Sequence, residues 1–183
     1  MTPTNSFSAH GAEFLSSFRP ESLPAGASIR TAVPCDIESL AAYFGKLSCP
    51  SRYNRFMGAI SNFSRIALDC LVHNCNADRF TLVAESQEQS GCFIIGEISY
   101  GFDHGANCGE FAISVSDQWQ NRGLRSALLD ALQFRAISLG HFDLFGETLK
   151  TNDRMKGLAR KAGFAFSRSP DWRAVRFDKR LTP

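Results

Sequence analysis

The chain has 183 residues, a formal net charge of +2, 44% hydrophobic residues and 21% charged ones. That is one domain's length, enough for a core without disulfides or metal, and the composition excludes disordered, collagen-like and extreme-charge classes. No apolar run approaches the roughly 20 residues of a bilayer span, and Glu13, Arg19 and Glu21 interrupt any secretory signal core, so a cytoplasmic protein with no membrane partner is expected.

Residues 1–26, rich in Ser, Pro and Gly, read as a flexible N-terminal arm, leaving 27–183 as a single domain. Ala27–Val33 reads as a strand closed by Pro34. Asp36 is placed to cap a helix carrying Ile37, Leu40, Ala41 and Phe44, which Pro50 breaks. A second helical stretch is expected over 51–73, with Phe63, Ile66, Ala67 and Leu71 on its apolar face. Phe80–Ala84, Cys92–Tyr100 and Gly109–Val115 are β-branched and aromatic runs. The turns between them, Gln87–Gly91 and Asp103–Asn107, are short enough for consecutive antiparallel strands. After Gly123 the period switches to helical, through Leu124, Ala127, Leu128, Ala131 and Leu132, until Gly140. Phe142–Thr148 reads as a strand, Asn152 as the cap of a helix ending at Gly163, and Phe164–Arg168 and Arg173–Phe177 as two last strands. The fold class is mixed α/β.

Six cysteines, at positions 35, 49, 70, 75, 92 and 108, form no C-x-x-C pair and no common zinc spacing. They read as buried or half-buried free thiols, with no metal and no disulfide. Charge is uneven along the chain. Residues 1–117 carry 7 basic against 12 acidic side chains, and residues 118–183 carry 13 against 6. A basic second half favours an anionic ligand, although a solvated cationic face would give the same count.

The segment Glu110–Ser126 (EFAISVSDQWQNRGLRS) is a strand, a turn and a polar loop running into a helix. A helix N-terminus leaves unpaired N–H groups and a partial positive charge, and Arg122 and Arg125 add formal charge there. Phosphate is the natural guest. The loop is neither a Walker loop nor G-x-G-x-x-G.

At these residues the chain resembles the GNAT (GCN5-related) N-acetyltransferases. Their acetyl-CoA signature, Gln/Arg-x-x-Gly-x-Gly/Ala, is matched at Gln120 and Gly123, with Arg125 in place of the last glycine. The run from Asn152 through Met155, Leu158, Gly163 and Phe164 is similar to the family's next helix and strand. The order of elements agrees from about Ala27 to Arg180. Residues 51–56 and the strand opening at Gly109 look similar to GNAT domains of bacterial protein-lysine acetyltransferases.

The resemblance implies a GNAT fold: a mostly antiparallel, splayed sheet of six to seven strands flanked by about four helices, with acetyl-CoA as co-substrate. Backbone groups of Ile113, Ser114 and Val115 would meet the pantetheine arm in the gap between the fourth and fifth strands. Gln120, Asn121, Arg122, Gly123, Leu124, Arg125 and Ser126 would hold the pyrophosphate, and Asn152 would touch the pantetheine or thioester end. Arg125 either crowds the ligand with its Cβ or forks onto a phosphate. Ala159 stands where many members place a tyrosine that reprotonates the CoA thiolate, so the acid must lie elsewhere or be water.

The implied activity is direct transfer of an acetyl group to a primary amine in a ternary complex. Glu110 is the candidate general base, with Glu97 its rival; either also reads as a surface strand carboxylate. His104 is a weaker candidate, and His10, His73 and His141 read as structural or solvated. A backbone amide of Val115 or a neighbour would stabilise the oxyanion. Arg52, Tyr53 and Arg55 border the acceptor cleft or a solvated face, and Trp119 packs under the loop. The competing reading is a non-catalytic acyl-CoA-binding or regulatory module. Nucleic-acid binding is disfavoured, because the basic half lacks an aromatic–basic pattern. The acceptor, small molecule or protein amine, and a homodimeric state are left open.

Overall fold

A computed structural model of the protein describes residues 18–59, 64–73, 75–88 and 91–182. Strand β1 (Ala27–Thr31) leads through a short 3-10 turn into helices α1 (Ile37–Lys46), α2 (Cys49–Phe56) and α3 (Arg65–Val72). Strands β2 (Arg79–Glu88), β3 (Gly91–Asp103) and β4 (Cys108–Val115) follow, then α4 (Leu124–Ser138), β5 (Asp143–Leu149), α5 (Asp153–Lys161), β6 (Ala165–Arg168) and β7 (Ala174–Arg180). The seven strands form one sheet in the order β1-β2-β3-β4-β5-β7-β6. All neighbours are antiparallel except β4 and β5.

Two apolar layers sandwich the sheet. On one face α4 and α5 bury Leu124, Leu128, Leu132, Met155 and Ala159 against Leu82, Ile98, Phe111, Val115 and Phe177. On the other, α1 and α3 bury Leu40, Phe44, Leu68 and Val72 against Val83 and Ile94. Phe111, Phe164 and Phe177 meet edge to face at 5.5–5.8 Å. Gly146 makes room for this cluster, since a Cβ there would lie 2.6 Å from the Phe177 ring.

The helical stretch expected over 51–73 is two helices. Pro50 sits in the first turn of α2, where a missing N–H costs nothing, and the previous helix has already ended at Lys46, where Leu47 turns extended. Met57 then turns left-handed at φ 52° and stops α2. Ile66, expected on the apolar face, is 76% exposed, and Phe63 lies outside the described residues. So do residues 1–17 of the expected arm, His10 with them, and the tip of the Gln87–Gly91 turn. From Phe18 the chain packs against the domain, its ring stacked on Phe134 at 4.1 Å. The thiols are more open than expected: Cys35, Cys49, Cys70 and Cys92 are exposed, and only Cys75 and Cys108 are half-buried. Among the described residues no group of three His, Cys, Asp or Glu could hold a metal ion, and no helix is long and apolar enough to cross a membrane.

Candidate active site

The parallel ladder between β4 and β5 is short. Gly109 pairs with Leu144 and Glu110 with Phe145, and no further pair forms. Ser116 donates its N–H to Ile95 on β3, and backbone direction alternates along a strand. The N–H and C=O groups of Phe111, Ile113 and Val115 therefore face the opening toward β5. This gap is lined by Ser51, Asn54 and Arg55 of α2, by residues 111–115, and by Thr148, Asn152 and Met155.

The gap has two mouths. Toward the 120–126 loop it continues into a cleft of about 500 Å³, sharing Ser51, Asn54, Arg125 and Asn152. Toward the β3–β4 hairpin it meets, at Phe111 and Ala112, a groove of about 630 Å³ lined by Ser99, Glu110, Phe145 and Arg176. A ligand laid through the gap would join the two.

The loop is built for close backbone approach. Asn121 (φ 61°) and Gly123 (φ 87°) are left-handed, and Gly123 caps α4 without a side-chain partner for the helix amides. A Cβ on Gly123 would also strike the Ser22 carbonyl at 2.5 Å. The amides of Leu124, Arg125 and Ser126 thus begin α4 uncapped by a side chain. Arg122 stacks over the Trp119 ring at 5.2 Å, and Trp119 is half-buried against the core. Arg125 lines both the gap and the loop-side cleft and makes no hydrogen bond or ion pair among the described residues. Burial pushes its pKa below the ordinary guanidinium value. A guanidinium stays charged even so, which leaves an enclosed cation able to take an anion.

Gln120 is a structural hub. Its Nε2 donates to the Val115 carbonyl at 3.2 Å, and Arg154 donates to its Oε1 at 2.6 Å. Beside it Asp117 accepts the Ser48 N–H and hydroxyl at 2.9 and 2.8 Å and the Ser51 hydroxyl at 2.7 Å. Burial opposes the Asp117 charge, but these donors hold its carboxyl below the usual range. Asp117 thus fastens the start of α2 to the loop. Asn152 caps α5, its Oδ1 accepting the Met155 N–H at 3.2 Å while its Nδ2 donates to Thr148 at 3.0 Å.

The two candidate carboxylates part company. Glu110 is exposed in the groove with no hydrogen-bond or ion-pair partner among the described residues. Glu97 is wholly buried, gripped by Arg55 through Nε at 2.7 Å and Nη2 at 3.1 Å. Ser114 donates to Glu97 Oε1 at 2.6 Å, and the Tyr43 hydroxyl lies 2.9 Å from Ser114. Burial opposes the Arg55 charge, yet Glu97 holds its pKa above the ordinary value. Burial, helped by the Glu97 charge, raises Tyr43. Ser114 shares a strand face with Glu110 but belongs to this buried network, and Arg55 joins it instead of a solvated face. Tyr53 is 41% exposed on the same helix.

The three described histidines stay apart from this gap. His104 sits on the hairpin, 3.0 Å from Asp78, and His73 ends α3. His141 stacks on Phe102 at 3.8 Å with Nδ1 3.0 Å from the Tyr100 hydroxyl, and burial lowers its pKa. Ala159 is fully buried, so the hydroxyls lining the gap are those of Ser51, Ser114 and Thr148.

Strand alternation sets Glu97 with Ser99 and Gly101 on the face opposite Ile98 and Tyr100, a pattern that reads as solvent-facing; nothing in the sequence pairs Glu97 with Arg55 or Asp117 with Ser48.

Comparison with known proteins bears on this geometry. The model of the acetyltransferase (GNAT) family matches residues 50–164. The GNAT domain of S. lividans PAT superposes with a TM-score of 0.77 at 28% identity, over 85% of this chain and 90% of that one. A GNAT-family acetyltransferase from Streptococcus pneumoniae gives 0.70 at 19% identity, over 85% and 99%. A putative acetyltransferase from Salmonella typhimurium, solved with its cofactor acetyl-CoA, gives 0.66 at 18%, over 86% and 95%. No curated protein matches the sequence.

Proposed function

Because this chain belongs to the GNAT family of acetyltransferases, we propose that it moves the acetyl group of acetyl-CoA directly to a primary amine, the ε-amine of a protein lysine. The observation that carries this reading is the β4–β5 gap, whose ladder stops at Glu110 and whose two mouths lead to an anion-ready loop and an open groove. The lysine acceptor rests on the likeness to S. lividans PAT.

In this reading the amides of residues 121–126 and the Arg125 guanidinium hold the pyrophosphate, while Ile113 and Val115 pair with the pantetheine as with an added strand. Asn152, by capping α5 and holding Thr148, fixes the far wall. The acceptor enters from the groove as an ammonium and gives one proton to water; the neutral nitrogen then attacks, and Glu110 takes the second proton that it loses. The new N–C bond forms as the C–S bond breaks, and the departing sulfur takes its proton from water. A backbone N–H on β4 steadies the oxyanion, and holding both reactants together accounts for much of the rate. Glu97, saturated by Arg55 and Ser114, positions β4 rather than moving protons. The protein would act in the cytoplasm.

A non-catalytic acyl-CoA-binding role has one observation in its favour: Arg125 narrows the gap where the family has glycine. Free CoA thiol released from acetyl-CoA only when lysine peptides are present supports transfer. Tight CoA binding without thiol release supports the binding module.

A further inference from the structure

The groove carries a second unpartnered charge. Register places Arg79 opposite Gly101, Gly101 opposite Glu110, and Glu110 opposite Phe145. Directly paired residues share a face, so these four form one row across the groove floor. Arg79 and Glu110 are both exposed, and neither side chain has a hydrogen-bond or ion-pair partner among the described residues. Between them Gly101 carries no side chain, and a Cβ built there would meet nothing within 4 Å. Two interstrand spacings separate their backbones by about 10 Å. The floor is therefore a notch with a cation on one bank and an anion on the other.

The other charged groups of the groove are engaged. Arg176 lies over the Phe145 ring at 3.7 Å and donates to Asp178 at 2.7 Å. Asp103 accepts the Gly105 N–H at 2.8 Å in the hairpin turn.

We propose that Arg79 is a specificity-determining residue that selects acceptor lysines with an acidic neighbour. The proposal rests on the lysine-acetyltransferase reading above. Glu110 draws in the lysine ammonium, and the neighbouring carboxylate pairs with Arg79 across the Gly101 notch. A groove of about 630 Å³ is larger than a lone small amine fills and admits a short peptide segment. Neither bank alone would discriminate between acceptors; the fixed separation of opposite charges does.

The test is kcat/KM for three lysine peptides, flanked on both sides by Glu, Ser or Arg, with wild type, Arg79→Ala and Arg79→Glu, calorimetric CoA affinity serving as the folding control. Wild type should prefer the Glu-flanked over the Ser-flanked peptide by about threefold to fivefold, the scale of an exposed ion pair. Added salt should shrink that preference. Arg79→Ala should erase it and Arg79→Glu should turn it toward the Arg-flanked peptide, with CoA affinity unchanged throughout. Equal wild-type rates on all three peptides, or a preference that survives Arg79→Glu, overturns the proposal while leaving lysine acetylation standing. Acetylation of free amino acids in preference to every peptide, or of no peptide at all despite CoA binding, overturns the lysine reading itself and this proposal with it.

Discussion

Arg55 reaches from α2 to the sheet and grips Glu97 through two nitrogens, at 2.7 and 3.1 Å, with only 8% of one side chain and none of the other exposed. A buried pair gains little over apolar residues of the same volume, because both ions lose their hydration, but breaking it strands a charge. Glu97→Ala should therefore cost about 3–5 kcal/mol, read as a fall in denaturant midpoint. The double variant Arg55→Met with Glu97→Leu should recover most of that loss. A double variant as unstable as the single one would show that the pair itself stabilises the fold.

Arg125 should contribute to cofactor affinity. An enclosed guanidinium that finds a phosphate gains a charge-assisted hydrogen bond of about 1.5–3 kcal/mol. Calorimetric titration should show Arg125→Ala and Arg125→Gly both binding CoA roughly tenfold or more weakly, with salt narrowing the difference from wild type. Tighter binding by the glycine variant would make Arg125 an obstruction.

The Asp117 staple gives α2 an acid-sensitive anchor. Its carboxyl is depressed in the folded protein, so its stabilisation is complete above the unfolded value near 4 and fades as pH falls through the lower folded value. Thermal melts should show wild type losing stability below about pH 4 more steeply than Asp117→Asn. Parallel curves would contradict this anchor.

Much of this architecture is legible in the residues. Period-2 runs of β-branched and aromatic residues mark β2 to β4, and the switch at Gly123 marks α4, because those patterns reflect which face is buried. Asn152 was legible as a cap because capping needs only a local acceptor. The Arg55–Glu97 pair, 42 residues apart, and the Asp117–Ser48 staple were not, since long-range side-chain pairs leave no periodic trace. The break at Met57 was hidden too: Pro50 reads as a stop from one side and as a first-turn residue from the other.

Glu110 should carry proton transfer and attract the acceptor amine without touching the cofactor. Glu110→Gln keeps the shape and removes the base, so kcat should fall by about 10²–10⁴ while CoA affinity holds. A variant that keeps wild-type kcat would move the proton to water or to another residue.

If an acetyl group crosses from acetyl-CoA to a lysine amine in this gap, the mass of a lysine peptide incubated with acetyl-CoA and protein must change. The expected gain is one acetyl group per peptide, absent when the lysine is replaced by arginine and slowed by Glu110→Gln. A peptide of unchanged mass, in a mixture where the protein demonstrably binds acetyl-CoA, would contradict it.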